Sequence, residues 1–217
     1  MLYLGSCCCI VAMSTGCIRN SLYRGYRFFG RHQYQSAIRQ FTYYLDRAEG
    51  DEAEYVAAGY FYRGLSWSAL KKSDIAADNY RQAFSLVPCF FGASFNLGVE
   101  NLRLGKFPES ETCFKSSWQS IISAYRGELD KSLLWNRKTF KHDMESCYMY
   151  YGMVLVGLGK HDELKTLIAT RKDIGIDNVA MDKADRLFND ALFGKISDEK
   201  AREIFLRWVK TARLFWK

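Results

Sequence analysis

The sequence predicts an all-α protein built from consecutive antiparallel helix pairs, closed by further helices at the carboxy terminus. Three observations carry this expectation. A set of aromatic and small residues returns after 34 positions, apolar residues elsewhere fall at helical intervals, and only 2 prolines interrupt 217 residues. Glycines occur singly, and no Pro/Gly/Ser-rich or low-complexity stretch divides the chain. A hydrophobic fraction of 48% beside 25% charged residues is that of an ordinary soluble protein, so one domain or one short repeat array is expected.

Residues 1–17 form the first element. Met1 to Ala12 carries no charge and is dominated by Leu, Tyr, Cys, Ile, Val and Ala; Ser14, Thr15 and Gly16 then precede Cys17. The run is shorter than the roughly 20 apolar residues that a membrane-spanning helix needs. It ends in small residues suited to a signal peptidase and resembles the end of an export signal. A cysteine directly after small residues also resembles the lipobox of bacterial lipoproteins, which implies that Cys17 is acylated; Cys7, after Leu4-Gly5-Ser6, is a second such position. The alternative is that these residues form an amino-terminal helix of the fold itself.

The repeat is clearest over residues 57–90. Counting Ala57 as position 1, Tyr60, Gly64, Trp67, Ala76, Tyr80, Ala83 and Pro88 occupy positions 4, 8, 11, 20, 24, 27 and 32. Residues 91–124 repeat the series with Leu97-Gly98, Gly105, Phe107, Ser110, Phe114 and Ser117 at positions 7–8, 15, 17, 20, 24 and 27. Each position has a packing reason. Small residues at 8, 20 and 27 let two helices approach closely, Gly64 against Ala76 for example, and large ones at 4, 11, 17 and 24 fill the space around them. Pro88 ends a second helix because proline cannot continue the hydrogen-bonded ladder.

Weaker copies flank these two. Residues 18–52 place Gly25, Phe28, Tyr34, Ala37 and Phe41 in register, with Ser21 at a large position and Tyr44 at a small one. Residues 145–172 place Tyr148, Tyr151-Gly152, Leu155, Gly159 and Ile168, with Leu164 at a small position. Between them, about 120–143, lies an insertion read as helical from Trp118, Ile121, Ile122 and Tyr125, which extends the second helix of its unit. From 173 to 217 two capping helices are expected, about 177–193 and 197–216. Ser197 is suited to cap the second, with Asp198 and Glu199 in its first turn and Phe205, Trp208, Val209, Ala212 and Trp216 on one stripe.

These spacings resemble the tetratricopeptide repeat over about residues 18–172. The resemblance implies a right-handed superhelical solenoid whose first helices line a concave groove for a peptide or partner protein. Carried onto this chain, the groove positions are Phe61, Tyr62 and Leu65; Phe95, Asn96, Val99 and Arg103; and Met149, Tyr150 and Met153. By the same resemblance Asn96 would bind ligand backbone and Arg103 a carboxylate. Ala58, Leu65 and Ala69 are apolar where a carboxylate clamp needs bases, so an aromatic-lined apolar groove is expected.

The remaining features exclude other classes. Cys89, Cys113 and Cys147 are isolated, no Cys-x-x-Cys pair occurs, and His32, His142 and His161 are scattered, so metal and nucleophile motifs are lacking; no phosphate-binding glycine loop appears either. No enzyme activity, metal or cofactor is expected. The net charge is +7, and residues 195–217 hold seven bases against three acids, a basic tail on a chain whose charges otherwise read as interspersed. Nucleic acid is not the expected partner, because bases are not concentrated in the groove. The sequence therefore predicts a protein-binding scaffold or assembly factor, lipid-anchored at the bacterial cell envelope, similar to pilotins and other assembly lipoproteins. A cytoplasmic adaptor or chaperone for a secreted client is the alternative.

Overall fold

The computed structural model describes residues 6–128, 140–175 and 179–211, and the regular structure among them is helical throughout. The helices are α1 (Ser6–Gly30), α2 (Tyr34–Leu45), α3 (Ala53–Ala69), α4 (Ser73–Leu86), α5 (Phe91–Arg103), α6 (Phe107–Tyr125), α7 (Phe140–Gly157), α8 (His161–Asp173), α9 (Val179–Leu192) and α10 (Asp198–Thr211). They divide into two compact units, residues 1–105 and 106–217. In the first, each helix packs on the next, with α1 also touching α3 and α3 touching α5. In the second, α7 packs against α6, α8, α9 and α10. Residues 151–156 of α7 are buried without a break, as befits a helix enclosed on all sides.

One turn recurs at position 15 of all four sequence units. His32, Lys71, Gly105 and Gly159 hold φ of 58°, 60°, 74° and 66°, the left-handed conformation that reverses the chain after a helix. Their amides donate to Phe29, Ser68, Leu102 and Val156 carbonyls, each three residues back. The next residue donates to the carbonyl five back in three of the turns: Gln33 to Phe28, Lys72 to Trp67 and Lys160 to Leu155. These are the bonds of a Schellman motif, which satisfy the last carbonyls of the preceding helix. The following helix begins identically in each case, with Ala37, Ala76, Ser110 and Leu164 donating four residues back to Gln33, Lys72, Lys106 and Lys160.

Packing within the first unit follows the glycines. The face of Gly25 lies directly on the Phe41 ring, and a Cβ on Gly64 would meet the Tyr80 ring at 2.8 Å. Position 8 thus meets the aromatic of position 24 in two successive pairs. For Gly64 this corrects the expected contact: Tyr80 and Asn79, rather than Ala76, are its nearest neighbours. Tyr44, the large residue at a small position, is fully buried because Gly59 of α3 makes room for it, its ring lying 3.0 Å from where a Cβ would stand.

The second unit departs from this plan. The gap over Gly152 is filled by Phe188 of α9, where the amino-terminal pairs use the partner helix's own aromatic. Leu164 at its small position is fully buried all the same. Arg171 of α8 ties the neighbours together, with its guanidinium donating to Asp182 and Asp185 of α9 while the Tyr148 hydroxyl of α7 donates to Asp185. Burial pulls the Arg171 guanidinium down, but the two carboxylates outweigh it and hold it above its ordinary value.

Helix ends are placed much as expected. α4 stops at Leu86, two residues before Pro88, and α6 continues to Tyr125. The Ser197 hydroxyl accepts from the Lys200 amide at 3.1 Å, capping α10. Residues 129–139 of the insertion, and Ala212 and Trp216 of the expected stripe, lie outside the described residues, as do the side chains of Phe205, Trp208 and Val209.

Candidate functional site

Most of the expected groove side chains are buried. Phe61, Leu65, Phe95, Asn96, Val99 and Met153 are all buried, none more than 9% exposed. They correct the expectation of an open groove at those six positions, and for several the cause is local. Phe61 is ringed by Tyr62, Tyr80 and Phe90 at centroid distances of 4.8 to 5.8 Å, and Phe95 stacks on Phe91 at 5.5 Å. The Asn96 amide donates to the Gly92 carbonyl at 2.7 Å, back along its own helix.

Tyr62, Met149 and Tyr150 are half-buried and keep surface. Tyr62 sits among Tyr26, Phe29 and Phe41, with the Tyr26 ring edge-on at 4.6 Å, and burial pushes its hydroxyl upward in pKa. Tyr150 tilts over Phe114 at 5.5 Å.

Arg103 is the most exposed of the ten, but it already faces an anion. Its guanidinium pairs with the carboxylate of Glu100, and the Ser68 hydroxyl donates to the same carboxylate at 2.6 Å. Glu100 is only 2% exposed, and its second oxygen is buried without a hydrogen bond. The positive charge expected to meet a ligand carboxylate is therefore turned inward onto one supplied by the chain.

A different set of polar residues stands open at the end of α1 and in the turn after it. Arg24, Arg27 and Arg31 are exposed and line a shallow depression with Phe28 and with Gln40 of α2. The sequence carried a signal for it: no Asp or Glu occurs before Asp46, while Arg19, Arg24, Arg27, Arg31 and Arg39 all do. Reading the charges as interspersed outside the tail overlooked this. Arg19 alone is neutralised, by Asp51 and by Glu52 at 2.9 Å, and it also lies 3.9 Å above the Tyr55 ring. Cys17, the expected lipidation site, lies two residues before it; α1 runs through position 17 unbroken, and the cysteine side chain is outside the described residues.

Among the described residues, chemistry-bearing side chains do not assemble into a recognisable reaction centre. His161 opens α8 with Nε2 3.2 Å from the Asp198 carboxylate, so it is paired rather than simply solvated. The hydroxyl beside that pair, Ser197, is occupied as a helix cap. Among the described residues no three His, Cys, Asp or Glu side chains could hold a metal ion. Cys113 and Cys147 are buried and Cys89 half-buried; burial pushes the Cys147 thiol well up, away from a reactive thiolate. Among the described residues no helix is long and apolar enough to cross a membrane. Neither a protein-family model nor a curated protein matches this chain.

Proposed function

We propose that this chain is a tetratricopeptide-type scaffold without enzymatic activity, a right-handed stack of helix pairs that docks a partner protein or peptide at the bacterial cell envelope. The observation that carries the reading is the left-handed residue at position 15 of four units, at His32, Lys71, Gly105 and Gly159, whose amide bonds three residues back whether or not the residue is glycine. A backbone feature repeated at fixed register in different sequence contexts is what an array of equivalent helix pairs requires. The glycine-to-aromatic contact shared by Gly25–Phe41 and Gly64–Tyr80 supports it further.

With six groove positions covered, each unit by itself retains some of the expected surface: Tyr62 and Arg103 in the first, Met149 and Tyr150 in the second. The cytoplasmic adaptor remains a second reading, favoured by one observation: α1 continues from Ser6 through residue 17 into the folded unit without a break.

The test is site-specific photo-crosslinking in a bacterial host. A benzophenone side chain at Tyr62, Arg103 or Tyr150 is expected to give one discrete adduct, identified by mass and then rebound as a purified protein. The same probe at Arg81, on the exposed side of α4, should give none. Equal labelling from Arg81, or no adduct from any of the three, would sink the docking proposal.

A further inference from the structure

We propose that Arg24, Arg27 and Arg31 form a binding face for the phosphate headgroups of anionic lipid, so that α1 lies along a membrane surface. Arg24 and Arg27 stand three residues apart near the end of α1, Arg31 follows in the turn after Gly30, and all three are exposed around a depression that Phe28 and Gln40 also line. Among the described residues no acidic side chain pairs with them. Several exposed cations elsewhere on this protein pair with a carboxylate three or four residues away: Arg81 with Asp78, Lys165 with Asp162, Lys200 and Arg207 with Glu203. On α1 and α2 that arrangement is unavailable, because the first 45 residues contain no acid, and the nearby Asp51 and Glu52 are held by Arg19.

Like charges three residues apart on a helix repel, as Arg24 and Arg27 do, so the unliganded face is a standing cost that a bound anion removes. Guanidinium groups fit phosphate in particular, since the planar fork donates two parallel hydrogen bonds. Lipid is favoured over nucleic acid by what adjoins the arginines. Tyr23, on the neighbouring stripe, leaves 52% of its surface in solvent, an amphipathic ring of the kind that sits at headgroup depth. The same helix continues toward the amino terminus through a charge-free apolar run, and its positions 17 and 24 share one register, seven residues apart. A flat surface contacts a helix along its length, as this arrangement requires. The proposal stands apart from partner docking and does not need Cys17 to be acylated.

The experiment uses the full chain carrying Cys17→Ser, which removes acylation, in flotation with vesicles of phosphatidylcholine alone or mixed with phosphatidylglycerol. Association is expected only with the mixed vesicles and should weaken as salt rises. The triple variant Arg24→Gln, Arg27→Gln, Arg31→Gln should lose about a hundredfold in partitioning, the effect of three basic side chains at an anionic surface. A charge-matched control, Lys72→Gln, Lys106→Gln, Lys172→Gln, should keep most of it. Unchanged thermal melting of the arginine variant, and an unchanged adduct from the Arg103 photoprobe, separate this site from folding and from docking. The proposal fails if the arginine variant binds like the parent, if the control loses as much, or if phosphatidylcholine alone suffices. It also fails if inorganic phosphate saturates the face without vesicle association, or if single-stranded RNA displaces the protein from vesicles.

Discussion

Gly25 and Gly64 are where single atoms decide whether two helices can meet. In each case the neighbour is a fully buried aromatic ring, Phe41 or Tyr80, which has no free rotamer to retreat into. Alanine is the better helix former by up to about 1 kcal/mol, but a methyl forced onto a packed ring costs about 1–3 kcal/mol, so strain wins. Gly25→Ala and Gly64→Ala are each expected to lower the urea midpoint of the first unit. Gly30→Ala, with nothing within 4 Å of its would-be Cβ, should leave it unchanged or raise it by up to about 1 kcal/mol. Equal behaviour of all three variants would show that close helix approach is not what these glycines serve. The glycines were legible from sequence as small positions; their contacts were not, because which residue fills the gap depends on helix rotation. Gly152 shows the difference, since the ring that covers it, Phe188, comes from a helix outside the repeat pattern.

At the scale of elements, α1 is fastened to the turn between α2 and α3 by one carboxylate. Asp51 accepts from Arg19 Nε at 2.9 Å, from the Tyr44 hydroxyl and from the Glu52 amide, and its side chain is 3% exposed. Burial alone would raise its carboxyl pKa, but the three donors outweigh burial and hold it below the ordinary carboxylate value. Because the folded-state value is depressed, the added stability is fully present above the unfolded value of about 3.9 and is lost as pH falls through the folded one. Asp51→Asn should therefore destabilise the α1–α2 hairpin at neutral pH, and the gap to the parent protein should close under acid. Hydrogen exchange of the α1 and α2 amides against pH measures it; a gap that stays constant down the acid limb would remove Asp51 as the cause. This tie had no sequence signature, since Arg19 and Asp51 lie 32 residues apart and only the folded hairpin brings them together. Turn positions show the same limit. Gly105 and Gly159 announce a left-handed residue, whereas His32 and Lys71 adopt it under the demands of the helices on either side.

For the whole molecule, the informative quantity is where charge is placed. Of the net +7, the first 45 residues carry +5, from five arginines and no acid, and residues 195–217 carry +4, which leaves the intervening chain slightly negative. That asymmetry was open to simple counting. The coverage of the groove positions was not, because a repeat pattern states which side chains face inward along a pair and is silent on how neighbouring rings close over the rest. On the proposed envelope reading, the charged amino-terminal hairpin also bears on how the protein is held at a membrane. Ile18 already packs against the core formed by Leu22, Ala37, Phe41 and Tyr44, and Arg19 is fixed by Asp51. Acylation at Cys17 would thus join lipid to a folded helix with no flexible tether, and the arginine face would follow within two turns. The expected result is a membrane-fraction protein whose intact mass lacks residues 1–16 and includes added acyl chains, with Cys17→Ala abolishing both changes. An unmodified full-length mass from the soluble fraction of the same host would overturn acylation and make α1, from Ser6 onward, an ordinary helix of the scaffold.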